Sequence, residues 1–547
     1  MPSVKKVLVS DAVDDQCVQL LKSGGIDVTC KFGLSVEELK KEIPAYDGLV
    51  VRSDTKVTEE ILTCASRLSV VGRAGTGVDN IDLKAATKRG VLVLNTPGGN
   101  STSACELTCS LITCLARHVP QGCAALKDGK WARKQYSGTE LEGKTLAILG
   151  LGRIGREVAK RMQSFGMKTV GFDPMVSAED ALSFNVQSLS LEEIWPIADY
   201  ITVHTPLIPQ TRNLINNAVL SKCKKGVKIV NVARGGIISE EDLLTALNDG
   251  RCGGAALDVF CEEPPKSEAS WNLIKHPKAI VTPHLGASTK EAQVRVAVEI
   301  AEMFISLNES GAGAWLNGVV NAPILRATAE PRTNSWIQLA SKLGQVASQI
   351  LRDNSSNSSQ VSVITAGAEL AGKNFFSTGV LVGLLDGKVQ SEVNLVNAPT
   401  LAEENGLKVD HQHDASGHST SHLVLKINAN GQPIEIKGTV DGEKPYLLSI
   451  NGSVFQPDGI PLTDHSSFVV KAVNPGDVTK TISKFVKIIF AIRSLTQKFS
   501  KVPDIHHTMR STLLKQLAKL ICIHIKQFCR AKEKRRMNIR ELPNFSR

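Results

Sequence analysis

Three polar side chains in the middle of the sequence are of the types that can together remove a proton and a hydride from one carbon. Arg234 stands in NVARGG, Glu263 in CEEPP and His284 in TPHLG. Histidine suits the role of base near neutral pH, and a neighbouring carboxylate would orient the ring and raise its pKa. Arginine can hold a substrate carboxylate through two parallel hydrogen bonds. The three residues therefore predict oxidation of an alcohol beside a carboxylate.

A glycine-rich turn predicts where the hydride acceptor would bind. Gly150, Gly152 and Gly155 follow the apolar run TLAIL and open the helical stretch RIGREVAKRMQSF. Such glycines let a turn approach a pyrophosphate at a helix N-terminus. Asp173 ends the next apolar run, where a carboxylate would hold both adenosine ribose hydroxyls and repel a 2′-phosphate. No arginine follows it directly, so the pattern favours NAD over NADP.

These residues must be positioned by two series of alternating strands and helices. Residues 1–98 and the stretch from residue 141 onward each alternate apolar runs such as KVLVS and KIVNVAR with helical patterns. This alternation is typical of parallel sheets covered by helices. Arg234, Glu263 and His284 each come just after a predicted strand, at the edge where such sheets bind ligands. We therefore expect two doubly wound units with a cleft between them.

The remaining elements are predicted less regularly. SACELTCSLITCLARHV and KEAQVRVAVEIAEMFISL read as long helices, the second leading back to the first unit. A third region contains the β-like runs GVLVGLL and HLVLKINANGQPIEIKG, and a last short unit begins near PYLLSINGSVFQP. HQHDASGHSTSH holds four histidines (His411, His413, His418 and His422) but no thiol, so we predict a solvated loop rather than a zinc site.

Composition excludes some classes of protein. The 547 residues are 42% hydrophobic, and no apolar run is long enough to span a membrane. Twelve cysteines without CxxC pairs predict free thiols in the cytoplasm and no metal site. Residues 479–547 hold 17 Lys/Arg and three Asp/Glu, whereas the preceding chain has a net charge of −4. The main part of the chain is therefore predicted to bind neither nucleic acid nor membrane, and its basic tail poses a separate question.

The motifs GxGxxG, ARG, EEP and PHxG together resemble those of the D-2-hydroxyacid dehydrogenase family, over roughly residues 5–320. VVGRAGTGVDNIDL, PHLGASTKEAQ, VGLL and VNLVNAP extend the resemblance to about residue 477, toward a long animal-type form. The resemblance implies an α/β fold with two doubly wound parallel-sheet domains, Rossmann-like and flavodoxin-like, plus α+β C-terminal domains. The implied divisions are a substrate-binding domain at 1–98 with 287–318, an NAD-binding domain at 99–286, an intervening domain at 319–445, a truncated regulatory-type domain at 446–478 and a poorly ordered tail at 479–547.

The same resemblance implies roles for individual residues. Arg234 would bind substrate and polarise the reacting oxygen, His284 would act as acid and base, and Glu263 would support it. Cofactor contacts are implied at Thr76, Gly150, Gly152, Arg153, Ile154, Gly155, Asp173, Thr205, Val232, Ala233, Arg234, Asp258, His284, Leu285, Gly286 and Ala287.

The implied activity is NAD-dependent oxidation of 3-phospho-D-glycerate to 3-phosphooxypyruvate, the first step of L-serine biosynthesis. Such a substrate carries a carboxylate and a phosphate, so its pocket needs several cations. The residues proposed to bind it are Arg52, Arg73, Asn100, Arg133, Arg234 and His284. The alternatives are another D-2-hydroxyacid dehydrogenase, acting on 2-oxoglutarate or glyoxylate, and an NAD-binding scaffold of the corepressor type.

Two further expectations concern assembly and the tail. In the family, a helix like SACELTCSLITCLARHV packs between two nucleotide-binding domains, which implies a homodimer or homotetramer. After SSFVVKAVNPGD the family pattern stops. The basic residues beyond are interpreted as an atypical C-terminus without a function, with a membrane- or RNA-binding segment as the alternative.

Overall fold

Three sheets organise the chain in the computed structural model. The structure describes residues 3–309, 313–351, 360–389, 391–416, 420–429, 432–455 and 459–462. Residues Met1–Asp464 form one unit, and the second, His465–Arg547, lies outside the described residues, as do the expectations for the basic tail and for His418.

The first sheet is parallel, with helices on both faces. Its strands are β1 (Lys6–Val9), β2 (Asp27–Cys30), β3 (Gly48–Val51), β4 (Val70–Arg73) and β5 (Leu92–Asn95), in the order β2-β1-β3-β4-β5. The helices between them are α1 (Asp15–Ser23), α2 (Val36–Glu42), α3 (Glu59–Cys64) and α4 (Leu83–Lys88), with a short 3-10 helix at Ile43–Ala45. Four of the strands, β1, β3, β4 and β5, read as continuous apolar runs because both faces of the sheet are covered there. The predicted first unit is confirmed, and β2 is the strand that apolarity did not reveal.

The second sheet is also parallel and larger. Two helices precede it, α5 (Ser101–Arg117) and α6 (Val119–Lys127). Its strands are β6 (Thr145–Leu149), β7 (Lys168–Phe172), β8 (Gln187–Ser188), β9 (Tyr200–Val203), β10 (Val227–Asn231), β11 (Cys252–Leu257) and β12 (Ala279–Val281). The intervening helices are α7 (Arg153–Gln163), α8 (Ala178–Leu182), α9 (Leu191–Ile194), α10 (Asn217–Lys222), α11 (Glu240–Asp249) and α12 (Glu268–Ile274).

The strand order of this sheet, β12-β11-β10-β9-β6-β7-β8, reverses between β6 and β9. Such a reversal opens a crevice at the carboxyl ends of the strands, where doubly wound sheets bind dinucleotides. The prediction of two doubly wound units is confirmed.

Helix α13 (Lys290–Ser306) brings the chain back to the first sheet, as expected. It packs closely because the strands carry glycine where the helix carries an aromatic ring. A Cβ on Gly72 would lie 2.3 Å from the Phe304 ring, and one on Gly48 would lie 2.8 Å from it. The chain thus passes from the first sheet to the second through α5 and returns to the first sheet through α13.

The third sheet is mixed. It contains β13 (Gln360–Ala366), β14 (Lys408–Asp414), β15 (His422–Ala429), β16 (Gln432–Asp441), β17 (Lys444–Ile450), β18 (Ser453–Val454) and β19 (Ile460–Pro461). Its helices are α14 (Ile324–Ala327), α15 (Pro331–Leu351), α16 (Phe376–Leu385) and α17 (Ala398–Glu404), with 3-10 helices at Ala314–Gly318 and Ala368–Leu370. The hairpin predicted for HLVLKINANGQPIEIKG is confirmed by the antiparallel pairing of β15 with β16. Because β17 pairs with β16, this sheet runs across the predicted boundary at residues 445 and 446.

The β-like interpretation of GVLVGLL is wrong, because these residues lie in α16. The helix is apolar on all sides since it is buried between α15 and α17. Glycines let the two longer helices touch: a Cβ on Gly383 would lie 1.9 Å from the Ser341 carbonyl oxygen. A short apolar run does not by itself distinguish a buried strand from such a helix.

The predicted loop over the histidine-rich stretch is also wrong at both ends, since residues 411–414 lie in β14 and His422 begins β15. His411 and His413 lie in β14, an edge strand paired in parallel with β13. The hydroxyl of Thr365, fully buried on β13, lies 3.0 Å from Nδ1 of His413. Between residues 3 and 462, in the stretches that the structure describes, no helix is both long and apolar enough to cross a membrane.

Candidate active site

His284 and Glu263 form a hydrogen-bonded pair at the carboxyl ends of β12 and β11. Nδ1 of His284 lies 2.6 Å from Oε2 of Glu263, and the other carboxylate oxygen accepts from the backbone N–H of Phe260 at 3.0 Å. Burial opposes the charge of Glu263, but these two hydrogen bonds prevail and hold its pKa below the usual value. The hydrogen bond from Glu263 outweighs burial and raises the pKa of His284. Nε2 of the ring is thereby the nitrogen left to face a reactant.

The turn that carries His284 is held by a buried carboxylate. Asp258, fully buried, accepts from the N–H groups of Leu285 and Gly286 at 2.7 and 2.8 Å and from the hydroxyl of Thr282. Burial raises the pKa of Asp258 in spite of these bonds. His284 has a φ of 55°, which a non-glycine residue adopts only when its surroundings impose it. The predicted cofactor residues Asp258, Leu285 and Gly286 are thus joined directly to the histidine turn.

Arg234 lies after β10, the next strand of the same sheet. The Asn231 amide bridges its loop, donating to the Arg234 carbonyl at 2.8 Å and accepting from the Ala233 N–H at 2.9 Å. The guanidinium donates from Nη1 to the Ala233 carbonyl at 2.7 Å and from Nε to Oδ2 of Asp79 at 3.1 Å. Asp79 belongs to the first sheet's loop after β4, so this ion pair crosses between the two sheets.

Two more of the predicted arginines lie near Arg234. Burial and the positive charges of Arg234 and Arg52 lower the pKa of Arg73 to about 10. The loop after β4 lies against both Arg73 and Arg234, since a Cβ on Gly75 would lie 2.4 Å from Nη1 of Arg73 and one on Gly77 would lie 2.1 Å from Nη2 of Arg234. Arg73 is oriented by a hydrogen bond from Nε to Asn80 at 3.0 Å, and Arg52 donates from Nη1 to the Ala12 carbonyl at 3.3 Å.

The fourth predicted arginine is not part of this cluster. Arg133 is exposed in the connection between α6 and β6. Among the described residues, no hydrogen bond or ion pair links it to Arg52, Arg73 or Arg234. In contrast, Nε of Arg52 is buried and has no partner within the described stretches. A buried N–H without a partner is costly, so this atom is a candidate donor to a bound ligand.

The glycine-rich turn has the shape expected of a dinucleotide cradle. Gly150 has a φ of 99°, and its Cβ would lie 2.6 Å from the His204 carbonyl oxygen, while a Cβ on Gly155 would lie 2.1 Å from the Gly150 oxygen. Gly152 opens onto free space at the start of α7, whose N-terminus has no side-chain cap. The first N–H groups of α7 are therefore available to a pyrophosphate. The 11-residue helix fits the group that its sequence predicted.

Other predicted cofactor residues lie along the same crevice. Asp173, after β7, accepts from the N–H of Leu151 at 2.8 Å, so its carboxylate adjoins the glycine turn. The hydroxyl of Thr205, after β9, is buried and has no partner in the described chain. Thr76 donates to the predicted substrate residue Asn100 at 2.6 Å, and Arg153 donates to the Pro97 carbonyl at 3.3 Å. Of the rest, Val232 is buried, Ile154 packs against the core of the second sheet, and the carbonyl of Ala287 accepts from Gln293.

Sequence reasoning missed two polar residues of the site. Asp79 pairs with Arg234, and Asn80 accepts from Arg73 while donating to the carbonyls of Arg52 and Thr55, both at 2.7 Å. Both lie in GTGVDNID, a stretch that contributed to the family resemblance. Thr76 is the residue of this stretch for which the sequence analysis predicted a role. The available signal was their position directly after a buried strand of the first sheet.

Replacement of Glu263 by glutamine is expected to move the acidic limb of the pH–kcat/KM profile to lower pH. In alcohol oxidation His284 must be neutral to accept a proton, so activity rises as pH passes its pKa. The carboxylate raises that pKa, and the neutral amide removes the effect. Steady-state rates between pH 5 and 9 measure the shift. Glu262→Gln is the matched control, since Glu262 pairs with Lys266 at the surface. A limb that stays in place or moves to higher pH would contradict the role of Glu263.

Comparisons with known families agree with this geometry. Residues 109–286 match the NAD-binding domain of D-isomer specific 2-hydroxyacid dehydrogenases, and residues 332–451 match the intervening domain of D-3-phosphoglycerate dehydrogenase. The D-3-phosphoglycerate dehydrogenase of Homo sapiens is 51% identical over 465 residues, which are 84% of this chain and 85% of that one. That of Rattus norvegicus is 48% identical over 508 residues, 92% of this chain and 93% of its own. That of Archaeoglobus fulgidus is 37% identical, over 82% of this chain and 84% of its own.

The alignment with the rat protein runs beyond the last family motif. Because it covers 92% of 547 residues, it cannot end before residue 479. The interpretation of the basic residues near the end as an atypical C-terminus stays a prediction.

Two solved structures resemble a little more than half of the chain. A D-lactate dehydrogenase from Aquifex aeolicus, complexed with NAD and lactic acid, superposes with a TM-score of 0.50 at 26% identity, covering 55% of this chain and 95% of that one. A glyoxylate reductase from Paecilomyes thermophila gives a TM-score of 0.52 at 27% identity, covering 58% of this chain and 98% of its own.

Proposed function

The chain belongs to the D-3-phosphoglycerate dehydrogenase family, and from that premise we infer that it oxidises 3-phospho-D-glycerate to 3-phosphooxypyruvate with NAD as cofactor. The family's place at the entry to L-serine biosynthesis implies the same place for this chain. The observation that carries the inference is the arrangement of three arginines and the His284–Glu263 pair. Asn80 binds both Arg73 and the Arg52 carbonyl, and the loop after β4 reaches Arg234. Arg234 and the His284–Glu263 pair follow neighbouring strands of the second sheet. A pocket with three guanidinium groups matches a substrate with a carboxylate at one end and a phosphate at the other.

We propose the following division of labour among the residues. Arg234 binds the substrate carboxylate and polarises the oxygen on C2, while Arg52 and Arg73 bind the phosphate. Nε2 of His284 accepts the hydroxyl proton as C2 loses a hydride, and Glu263 stabilises the imidazolium that forms. NAD, when bound, takes the hydride onto its nicotinamide ring. The residues that would hold it are the glycines of residues 150–155, Asp173 and Thr205.

The test is formation of NADH on adding 3-phospho-D-glycerate and NAD to the full chain, with hydrazine to trap the keto product. D-lactate and D-2-hydroxyglutarate are compared in the same assay, and glyoxylate and 2-oxoglutarate with NADH. We expect the phosphorylated acid to give the highest kcat/KM, because a phosphate offers Arg52 and Arg73 more charge and more acceptor oxygens than the second carboxylate of D-2-hydroxyglutarate. A kcat/KM no better than that of the acids without phosphate would overturn the substrate assignment and favour another 2-hydroxyacid dehydrogenase.

We propose further that the chain forms a homodimer or homotetramer in the cytoplasm. Apolar side chains that water would otherwise contact support the assembly: Val119, Leu126 and Trp131 on and after α6 are 54, 57 and 80% exposed. The ten cysteines among the described residues are all free thiols, which is consistent with a reducing compartment. Light scattering after gel filtration measures the number of subunits.

A further inference from the structure

The guanidinium of Arg234 stands at the end of a flexible side chain, yet its proposed task requires a fixed orientation. A fork that binds a carboxylate through two parallel bonds loses that geometry if the side chain turns by a few tens of degrees. Something in the chain must therefore hold it. Its own loop supplies only one contact, from Nη1 to the neighbouring Ala233 carbonyl.

The second contact comes from the other side of the cleft. Oδ2 of Asp79 accepts from Nε of Arg234 at 3.1 Å. Together the two bonds occupy Nε and one hydrogen of Nη1, which leaves three of the five N–H groups for a ligand. Asp79 itself is 70% exposed, so an ion pair here contributes little to folding stability.

The backbone is shaped to permit this pairing. A Cβ on Gly77 would lie 2.1 Å from Nη2 of Arg234 and 2.7 Å from Oδ2 of Asp79. Any larger residue would occupy the space in which the two side chains meet. The loop between β4 and α4 thus has an opening at the point where Arg234 reaches it.

From this geometry we propose that Asp79 is a positioning residue, which aims the guanidinium of Arg234 at the substrate's carboxylate from across the cleft. The proposal rests on the proposed function, in which Arg234 binds that carboxylate. It makes Asp79 part of substrate recognition without any contact to the substrate. It also explains a negative charge placed beside cations that must bind an anion.

A role for Asp79 through its charge and a role in orienting Arg234 predict opposite changes in KM when Asp79 is removed. If the carboxylate acted only through its charge, it would repel the anionic substrate, and Asp79→Ala would lower the KM for 3-phospho-D-glycerate. If it orients Arg234, Asp79→Ala raises that KM by about tenfold or more, because the fork is no longer held. Asp79→Asn keeps an oxygen that can accept from Nε, so it is expected to stay within about threefold of the original chain.

The experiment measures kcat and KM for Asp79→Ala, Asp79→Asn and the control Asp27→Ala, together with NADH affinity and thermal stability. Asp27 is an exposed aspartate at the amino end of β2, away from the carboxyl ends that form the cleft. The expected result is a KM effect for Asp79→Ala alone, largely rescued in Asp79→Asn, with NADH binding and melting temperature unchanged. An unchanged or lowered KM in Asp79→Ala, no rescue by asparagine, or equal losses of NADH binding and stability would overturn the proposal.

An error in the proposed function would give a different experimental result from an error in the proposed role of Asp79. In that case the unaltered chain gives no NADH with 3-phospho-D-glycerate but acts on another 2-hydroxy acid. The Asp79 comparison is then made with that acid, whose carboxylate binds Arg234 in the same way. A normal KM in Asp79→Ala with an active unaltered enzyme refutes only the positioning role.

Discussion

Replacement of His284 by alanine is expected to lower kcat by about 10²–10⁴-fold, the usual contribution of a positioned acid–base group. The structure provides no second base for the hydroxyl proton beside the ring among the residues that it describes, since Glu263 is engaged by Nδ1 and by the Phe260 N–H. The KM is expected to change little, because the arginines still bind both ends of the substrate. Stopped-flow absorbance of NADH measures the effect on the chemical step.

Two controls separate lost chemistry from lost structure. His276→Ala removes a histidine eight residues upstream whose ring only accepts from the Lys278 N–H, and it should leave kcat within about threefold, as a substitution away from the site. NADH affinity of His284→Ala should equal that of the unaltered chain if Asp258 still holds the turn. A His284→Ala enzyme with more than a tenth of the original kcat would show that another group takes the proton.

The sequence predicted those site residues that directly follow a strand of the parallel sheet. Arg234, Glu263 and His284 each follow a buried apolar run, and the strands β10, β11 and β12 are neighbours in one parallel sheet. Because all carboxyl ends of a parallel sheet lie at one edge, a local pattern is sufficient to bring the three residues together. The same argument places Gly150, Asp173 and Thr205 along that edge.

What could not be predicted depends on contacts between distant segments. Asp79 and Arg234 are 155 positions apart and belong to different sheets, and nothing in the local pattern of either selects the other. Arg133 was proposed for its charge and for a connection that could reach the cleft; it is exposed in the structure, and its contact with substrate stays a prediction. GVLVGLL was misassigned because α16 packs against α15, α17 and the strands β13 and β14, so that its apolar residues show no helical period.

The electrostatics of the site follow from its position between the sheets. Arg52 and Arg73 belong to the first sheet, and Arg234 belongs to the second. Burial lowers the pKa of Arg73, and the like charge of Arg234 from the other side lowers it further. A substrate with two anionic ends offsets this repulsion when it binds between them, and until then Asp79 is the carboxylate seen to pair with Arg234. Binding and approach of the two sheet units are therefore expected to be coupled.

Replacement of Arg234 by alanine is expected to lower kcat/KM by about 10²–10³-fold, which corresponds to ~3–4 kcal/mol of lost transition-state binding. The loss should appear in both KM and kcat, since the guanidinium holds the carboxylate and also polarises the reacting oxygen. Arg234→Lys keeps the charge without the planar fork and should recover only part of the loss. Arg89→Ala, at the exposed end of α4, is the control for removing a positive charge from the chain.

The double variant distinguishes a shared role from two separate ones. If Asp79 acts only through Arg234, then Asp79→Ala in the Arg234→Ala background costs nothing further in kcat/KM, and the two effects are not additive. Independent contributions would instead multiply the two losses. Additive losses would mean that Asp79 has another task in the cleft, such as orienting Arg73, whose charge it also faces. The cycle therefore tests whether the ion pair that joins the two sheets is the means by which the first sheet controls the carboxylate site of the second.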